Sequence, residues 1–397
     1  MIELTRGQFE SVRPLFEGFD YSLSIIAAIE GNNPGRIFVD DESAPSAALA
    51  LTVEGYLLAG ECNNPTTIAL LERLFREEIF PGRIFVNGAK SVSLAVFPDA
   101  WEARLPEIIP THEAEKIKRY HYLCQRLSID WRDTIPEGYT VHRIDRALLN
   151  ESQIVFPGEI AGWMDIAEMW GTEENFLSKG VSFCAVQGNE VVCWCVPDCV
   201  AGDRIDVGIL THPDHRRLGL ATAVVAAAVE YCLSHGFRTV GWHCNTENRA
   251  SWKTAEKVGF KRQREYFYYY YMCNPIDHLA ELGWYHYRAG DYRKTVNYYD
   301  QVFSQRIDNP DYYYHLAASA WALLGDKEKA LIHLQAAVEH GWDDYSFTSE
   351  QDEFQQLHDD PRWGLLLMSM KQNNNVKQKN KTTKAIIDYS FLFPPSA

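Results

Sequence analysis

Residues 205–237, IDVGILTHPDHRRLGLATAVVAAAVEYCLSHGF, pass from an apolar strand through a basic turn centred on Gly219 into a helix built of alanine and valine. A helix apolar all round must be covered on every side. A strand feeding such a helix through a tight turn places the chain among α/β architectures, with the helix laid on a sheet. The first four N–H groups of the helix lack intrahelical acceptors and carry the positive end of its dipole. A glycine at 219 lets a ligand approach that backbone, and His212, His215, Arg216 and Arg217 add positive charge beside it. Such a corner suits phosphate.

The same order of elements occurs twice. Residues 1–135 read as a mixed α/β unit with a hairpin (RIFVDD and SAALALTVEGYLLAG), a helix (PTTIALLERLFREEIF) and the strand SVSLAVF. RDTIPEGYT reads as a linker. Residues 139–274 repeat the pattern with strands VSFCAVQ, EVVCWCVPD and RIDVGILT, the long helix, strand TVGWHC, a second helix and a tyrosine-rich strand. Where the second half has THPDHRRLGLA, the first has GECNNPTTIAL, without the Arg and Gly arrangement. If one half binds phosphate, the second is the one expected to.

A formal net charge of −16 repels polyanions, which argues against nucleic acid and requires any anionic ligand to be held by a local basic patch. No run of about 18 apolar residues suggests a membrane span. The start MIELT lacks the pattern of a secretory signal, so the cytoplasm is expected. Nine cysteines, scattered through apolar segments without a C-x-x-C pair, are expected to be reduced core thiols, with no metal site.

Arg216-Arg217-Leu218-Gly219-Leu220-Ala221 resembles the R/Q-x-x-G-x-G/A motif of the GNAT acyltransferase superfamily, and WHCNTENRASWKTAEKVGF resembles its second signature, ending in Gly259 and Phe260. The arrangement is similar to the tandem type that includes the zwittermicin-resistance acetyltransferases. The resemblance implies an acetyl-CoA-dependent N-acetyltransferase of tandem mixed sheets flanked by helices, in which the fourth and fifth strands splay around the pantetheine arm. It implies that Ile209, Leu210 and Thr211 offer backbone groups to the arm. Arg216, Arg217, Leu218, Gly219, Leu220, Ala221 and Thr222 would wrap the diphosphate, and Asn245, Asn248 and Ser251 stand near the cofactor.

Asp206 matches the position of a carboxylate base in many members; pairing with Arg204 is the other reading of it. Relatives often carry an acidic tyrosine four residues before the Gly-Phe pair, where this chain has Ala255. Ser251, one of the run Tyr266, Tyr268, Tyr269, Tyr270 and Tyr271, or solvent are the substitutes, with Tyr266, Tyr268 and Tyr270 expected on one face of their strand. Asn248 also suits a plain helix cap. His212 and His243 lie near the expected cleft, and packing or surface roles suit both. Trp163 and Trp170, seven residues apart, read as core or as an acceptor pocket; Glu159, Asp165 and Glu168 nearby would favour a cationic amine.

From Pro275 the texture changes to helix pairs whose Gly-Asp dipeptides, at Gly290 and Gly325, stand 35 residues apart. Residues 275–370 resemble tetratricopeptide repeats, an all-α module expected to hold a protein partner or a second copy of the chain. Residues 371–397, with five lysines and no acid before AIIDYSFLFPPSA, are expected to be disordered. The function expected is acetyl transfer to an amine of a small molecule or protein; the rival is a non-catalytic acyl-CoA binder or scaffold.

Overall fold

The computed structural model describes residues 1–84, 90–157, 166–305 and 310–380. These form two compact units, Met1–Cys273 and Asn274–Ala397. Among the described residues no helix is long and apolar enough to cross a membrane. All nine cysteines are free thiols, eight of them buried.

The first unit is built on one twelve-stranded sheet: β1 (Ile2–Glu3), β2 (Gly35–Val39), β3 (Ala47–Thr52), β4 (Gly55–Gly60), β5 (Ser91–Phe97), β6 (Glu115–Cys124), β7 (Tyr139–Arg143), β8 (Phe183–Gln187), β9 (Glu190–Ala201), β10 (Arg204–Thr211), β11 (Thr239–Asn245) and β12 (Lys261–Met272). Their spatial order is β1-β2-β3-β4-β5-β12-β6-β11-β10-β9-β8-β7. The order is palindromic about the β12–β6 pair: β2 to β5 on one side answer β8 to β11 on the other, and each side includes one parallel pair, β4–β5 and β10–β11. Where the sequence reading expected two tandem sheets, the strands form one mixed sheet whose strand order reverses about that pair. Its halves are interleaved, because β6 of the first half lies between β11 and β12 of the second, antiparallel to both.

Two local features differ from the sequence reading. SAALALTVEGYLLAG is two strands rather than one, because Val53–Glu54 turns the chain between Thr52 and Gly55. The segment EKIKRYHYLC, unassigned above, is β6.

Helix α1 (Leu23–Glu30) lies against β9. The turn after it is stitched to that strand. Asn32 Nδ2 donates to the Val200 carbonyl at 3.0 Å, and Asn33 Nδ2 donates to the carbonyls of Met169 and Asp198 at 2.9 and 3.3 Å. Helix α2 (Pro65–Leu74) follows β4, as α3 (Leu220–Ser234) follows β10. α3 is buried along most of its length, its small side chains allowing close approach to the sheet, and α4 (Arg249–Val258) follows β11. The largest core cluster joins α3 to Val192, Cys193, Cys195, Ile205, Val207, Val240 and Trp242.

The second unit is all helical: α5 (Pro275–Arg288), α6 (Tyr292–Phe303), α7 (Asp311–Leu323), α8 (Lys327–Glu339), α9 (Tyr345–Glu350) and α10 (Pro361–Asn380). The Gly-Asp pairs explain its periodicity. Gly290 (φ 78°) and Gly325 (φ 81°) take the left-handed conformation that ends α5 and α7. Asp291 and Asp326 then cap α6 and α8 by accepting from the N–H groups of Lys294 and Lys329. One dipeptide stops a helix and starts its partner. Gly283 leaves room for the Tyr299 ring, which a β-carbon there would meet at 3.0 Å. Helix α10 runs to Asn380, ten residues into the segment expected to be disordered, because its Trp363, Leu366 and Met370 are buried in the core of this unit. Residues 381–397 lie outside the described residues.

His315 is fully buried in this unit, with Nε2 3.2 Å from Thr348 Oγ1 and its ring stacked on Trp342. Burial lowers its pKa from 6.5 to about 3. The unfolded chain therefore takes up a proton in that interval while the folded chain does not, and His315 costs stability as pH falls from about 6.5 towards 3. In urea titrations of the full chain, a His315→Gln variant is expected to lose less stability between pH 7 and 5 than the wild type, by up to about 1.4 kcal/mol per pH unit. Parallel pH profiles would refute this.

Candidate functional site

The two parallel pairs answer one another in position and differ in closure. β4 and β5 stay paired from Tyr56–Leu94 to Ala59–Phe97. β10 and β11 pair only at Arg204–Thr239, Ile205–Val240 and Asp206–Gly241, and then part. β10 remains bound to β9 as far as Thr211, so the parting leaves a wedge flanked by residues 207–211 and 242–245. Two local features sit at its apex. β9 carries a bulge in which Asp198 has no partner across from Asp206–Val207, which bends the strand pair. Gly241 leaves space for the Asp206 carboxylate, whose Oδ1 would lie 1.8 Å from a β-carbon on that glycine.

At the open end, α3 begins at Gly219 (φ 85°) with no side chain capping its amides. Arg217 (φ 64°) is the one non-glycine residue with positive φ among the described residues, at a cost on the order of 1 kcal/mol. The left-handed Arg217 and Gly219 make the tight turn that leads into the uncapped start of α3. Arg217 and Leu218 are exposed, Ile209, Leu210, Thr211, Arg216, Gly219 and Ala221 are half-buried, and Leu220 and Thr222 are buried. Arg216 is occupied, because its Nε donates to the Thr211 carbonyl at 3.1 Å. The Thr211 hydroxyl lies 3.1 Å from Cys193 Sγ. The charged contact that the turn offers is thus Arg217, with the backbone of 217–222.

One face of the sheet beside the apex gathers ionisable groups. Asp206 is 4% exposed. Its Oδ2 lies 3.6 Å from His243 Nε2, and neither atom has a hydrogen-bond partner. His243 Nδ1 is 2.9 Å from the Tyr266 hydroxyl, and its ring stacks on His121 at 4.6 Å between centroids. Tyr21 covers Tyr266 at 4.6 Å between rings. A carboxylate oxygen of Glu54, from the β3–β4 turn, joins Asp206 and His243 with all three ligand atoms within 4.8 Å of one another. Burial, then the charge of Asp206, raises the pKa of Glu54. Burial, then the charges of Glu54 and Asp206, raises that of Asp198. Burial and the charge of His243 lower His121 to about 3, and burial raises Tyr21 to about 12.

The expected site residues are therefore only partly assembled. Asp206, Tyr266 and Tyr268 share this face with Asn245, to whose Oδ1 the Tyr268 hydroxyl donates at 3.5 Å. Ser251 does not: its Oγ accepts from the Trp242 indole at 3.0 Å, and Trp242 points to the face opposite its neighbour His243. Asn248 caps α4 by accepting from the Ser251 N–H at 3.0 Å. His212 lies apart, accepting from the Asp214 N–H at 3.4 Å. Asp206 faces His243, and Arg204 is half-buried and donates to the Asp20 carbonyl at 3.3 Å. Trp170 is 3% exposed and belongs to the core; Glu159, Trp163 and Asp165 lie outside the described residues. Glu54, Asp198, Arg119, His121 and Tyr21 are absent from the sequence reading. The signal for Glu54 was an acid followed by glycine inside an apolar run, which is the mark of a turn.

A variant with Gly241→Ala is expected to displace the Asp206 carboxylate while leaving the α3 N-terminus intact. The expected outcome is catalytic turnover at least about tenfold lower with unchanged ligand binding at the Gly219 corner, and a crystal structure of the variant with Asp206 unmoved would refute the role given to Gly241.

A family model described as GNAT acetyltransferase matches residues 13–269. An uncharacterised N-acetyltransferase of Bacillus subtilis (strain 168), YdfB, is 26% identical over 269 residues, covering 68% of this chain and 97% of its own length. Among solved structures, a GCN5-related N-acetyltransferase-like protein from Streptococcus suis 89/1591 is 24% identical with a TM-score of 0.49, covering 66% of this chain and 98% of its own. A tandem GNAT protein from the clavulanic acid biosynthesis pathway is 13% identical with a TM-score of 0.46, covering 69% of this chain and 98% of its own.

Proposed function

Because this chain belongs to the GNAT acetyltransferase family, we propose that it transfers the acetyl group of acetyl-CoA to an amine of a small molecule or protein by direct attack, in the cytoplasm. The observation that carries this reading is the parting of β10 from β11 at Asp206–Gly241, beside the uncapped start of α3. The half at 139–274 is the active one; the half at 1–135 has a closed parallel pair and no comparable turn.

The residues present fit the donor. The N–H groups from Arg217 to Thr222, with the Arg217 guanidinium, would hold the diphosphate, and backbone groups of Ile209 and Leu210 would flank the arm, with Asn245 across the wedge. When bound, acetyl-CoA supplies an activated acyl carbon as a thioester. Asp206 serves as base towards the acceptor amine, and His243, held by Tyr266, orients with it. Tyr266 and Tyr268 are the hydroxyls on this face, and they are the candidates for supplying the proton to the departing thiolate. Ser251 and Asn248 act through the packing and capping of α4. Residues 275–370 form tetratricopeptide-like pairs that hold a protein partner or a second copy of the chain.

Acetyl-CoA is expected to raise the unfolding temperature of the full chain, since a ligand of the folded state alone must stabilise it. Gly219→Glu, which brings a carboxylate to the corner and a side chain to a left-handed residue, is expected to remove that increase. An undiminished increase would refute the diphosphate site. Asp206→Asn is expected to keep the increase and lower thiol release with an acceptor amine by about 100-fold. Equal rates would remove Asp206 as base.

A further inference from the structure

The first half offers no open wedge of its own, yet it sends a carboxylate into the apex of the other half's wedge. We propose that the proton-transfer apparatus is shared between the halves: Glu54 of the β3–β4 turn is a catalytic residue which, with Asp206 and His243, takes the proton of an acceptor that arrives as a primary ammonium ion. This rests on the reading that the wedge between β10 and β11 holds the donor.

The geometry is specific. Glu54, Asp206 and His243 come from β-elements of both halves, and their ligand atoms lie within 4.8 Å of one another. Asp206 Oδ2 and His243 Nε2, 3.6 Å apart, are buried without hydrogen-bond partners, on side chains 5% and 7% exposed. Buried polar atoms of this kind carry a desolvation cost of a few kcal/mol unless something meets them. An ammonium group, with several N–H donors, meets both. Glu54 lies beside the buried pair, in the turn between β3 and β4. Its carboxylate is held by the Ser24 hydroxyl in the first turn of α1, and Ser24 Oγ in turn accepts from Thr52 Oγ1 at 2.9 Å.

Charge points to the same acceptor. Glu54, Asp198 and Asp206 act on one another through space, and the guanidinium that acts on both Glu54 and Asp198 is that of Arg119. These carboxylates disfavour one another's charge, a repulsion that a cation relieves and an anion would aggravate. Burial and the neighbouring Asp206 raise the basicity of Glu54, the direction a base for an ammonium requires.

In the step proposed, the ammonium nitrogen gives one proton to Glu54. Its freed electron pair forms the C–N bond to the acyl carbon, and the C–S bond breaks with its electrons going to sulfur. Asp206, the base of the attacking amine, takes a second proton from nitrogen, Tyr266 or Tyr268 gives one to the thiolate and is reprotonated from Asp206, and the third stays on the amide. Glu54 returns its proton to water, so one amide, one thiol and one proton leave in each turnover.

The test is thiol release from acetyl-CoA with two surrogate acceptors, propylamine, protonated at neutral pH, and methoxyamine, mostly unprotonated there. Glu54→Gln is expected to lower kcat with propylamine by about 100-fold or more and with methoxyamine by less than about tenfold. Glu54→Asp should recover part of the propylamine rate. The rise in unfolding temperature on adding acetyl-CoA should be the same in all three proteins, which also shows that the variants fold. Equal losses with the two amines, or none, overturn the proposal while leaving the donor site standing. A wild type that acetyl-CoA stabilises but that turns over neither amine overturns the ammonium acceptor. A wild type that acetyl-CoA does not stabilise overturns the donor reading itself.

Discussion

The exchange of β6 and β12 is the constraint from which the remaining features of the first unit follow. Each half gives up its last strand to the other, so β6 pairs with β11 on one side and β12 on the other. The exchange carries Arg119 and His121 into register with Asn245 and His243, and it carries Tyr266 and Tyr268 alongside them. Simple juxtaposition of two separate sheets would leave these groups on different surfaces. With the strands exchanged they form one row, closed over by Tyr21 and approached by Glu54.

Similar topology with different local chemistry then separates the two halves. Both have a strand, a turn, a helix and a parallel strand in the same order. In the first, Asn64 caps α2 by accepting from Thr66 and Thr67, so its helix start is already satisfied. In the second, Gly219 takes the cap position and offers no side chain. The bulge at Asp198 and the missing β-carbon at Gly241 supply the other difference, a strand pair that cannot stay closed beyond Asp206. Grouping carboxylates at the apex is costly in the absence of compensating charge, and fold stability alone would favour apolar residues of similar volume there.

Much of this was legible in the chain. The strand, turn and helix of residues 204–234 were readable because their apolar pattern is continuous and the turn carries glycine. The Gly-Asp repeat was readable because each dipeptide has a local task that depends on no distant residue. What was not legible is long-range. β6, with its mixed charged and aromatic side chains, shows no clean alternation, and its burial comes from the strands that flank it in the other half. Glu54 went unremarked in the sequence, because its meaning depends on Asp206, more than 150 positions away. Ser251 was close in sequence to the right strand and is separated from Asp206 and Tyr266 by the thickness of the sheet, a distinction that turns on which side of β11 Trp242 faces.

The palindromic strand order also governs how the protein can be made. β5, with the apolar sequence SVSLAVF, leaves the ribosome long before β12, the neighbour that covers its open flank. At ordinary elongation rates the 175 residues between Phe97 and Met272 take roughly 10–35 s to synthesise. Throughout that interval the nascent amino-terminal half presents an unpaired edge of the kind that recruits foreign strands. Its native closure joins segments far apart in the chain, so that edge gains its partner only once residues 269–272 have been made.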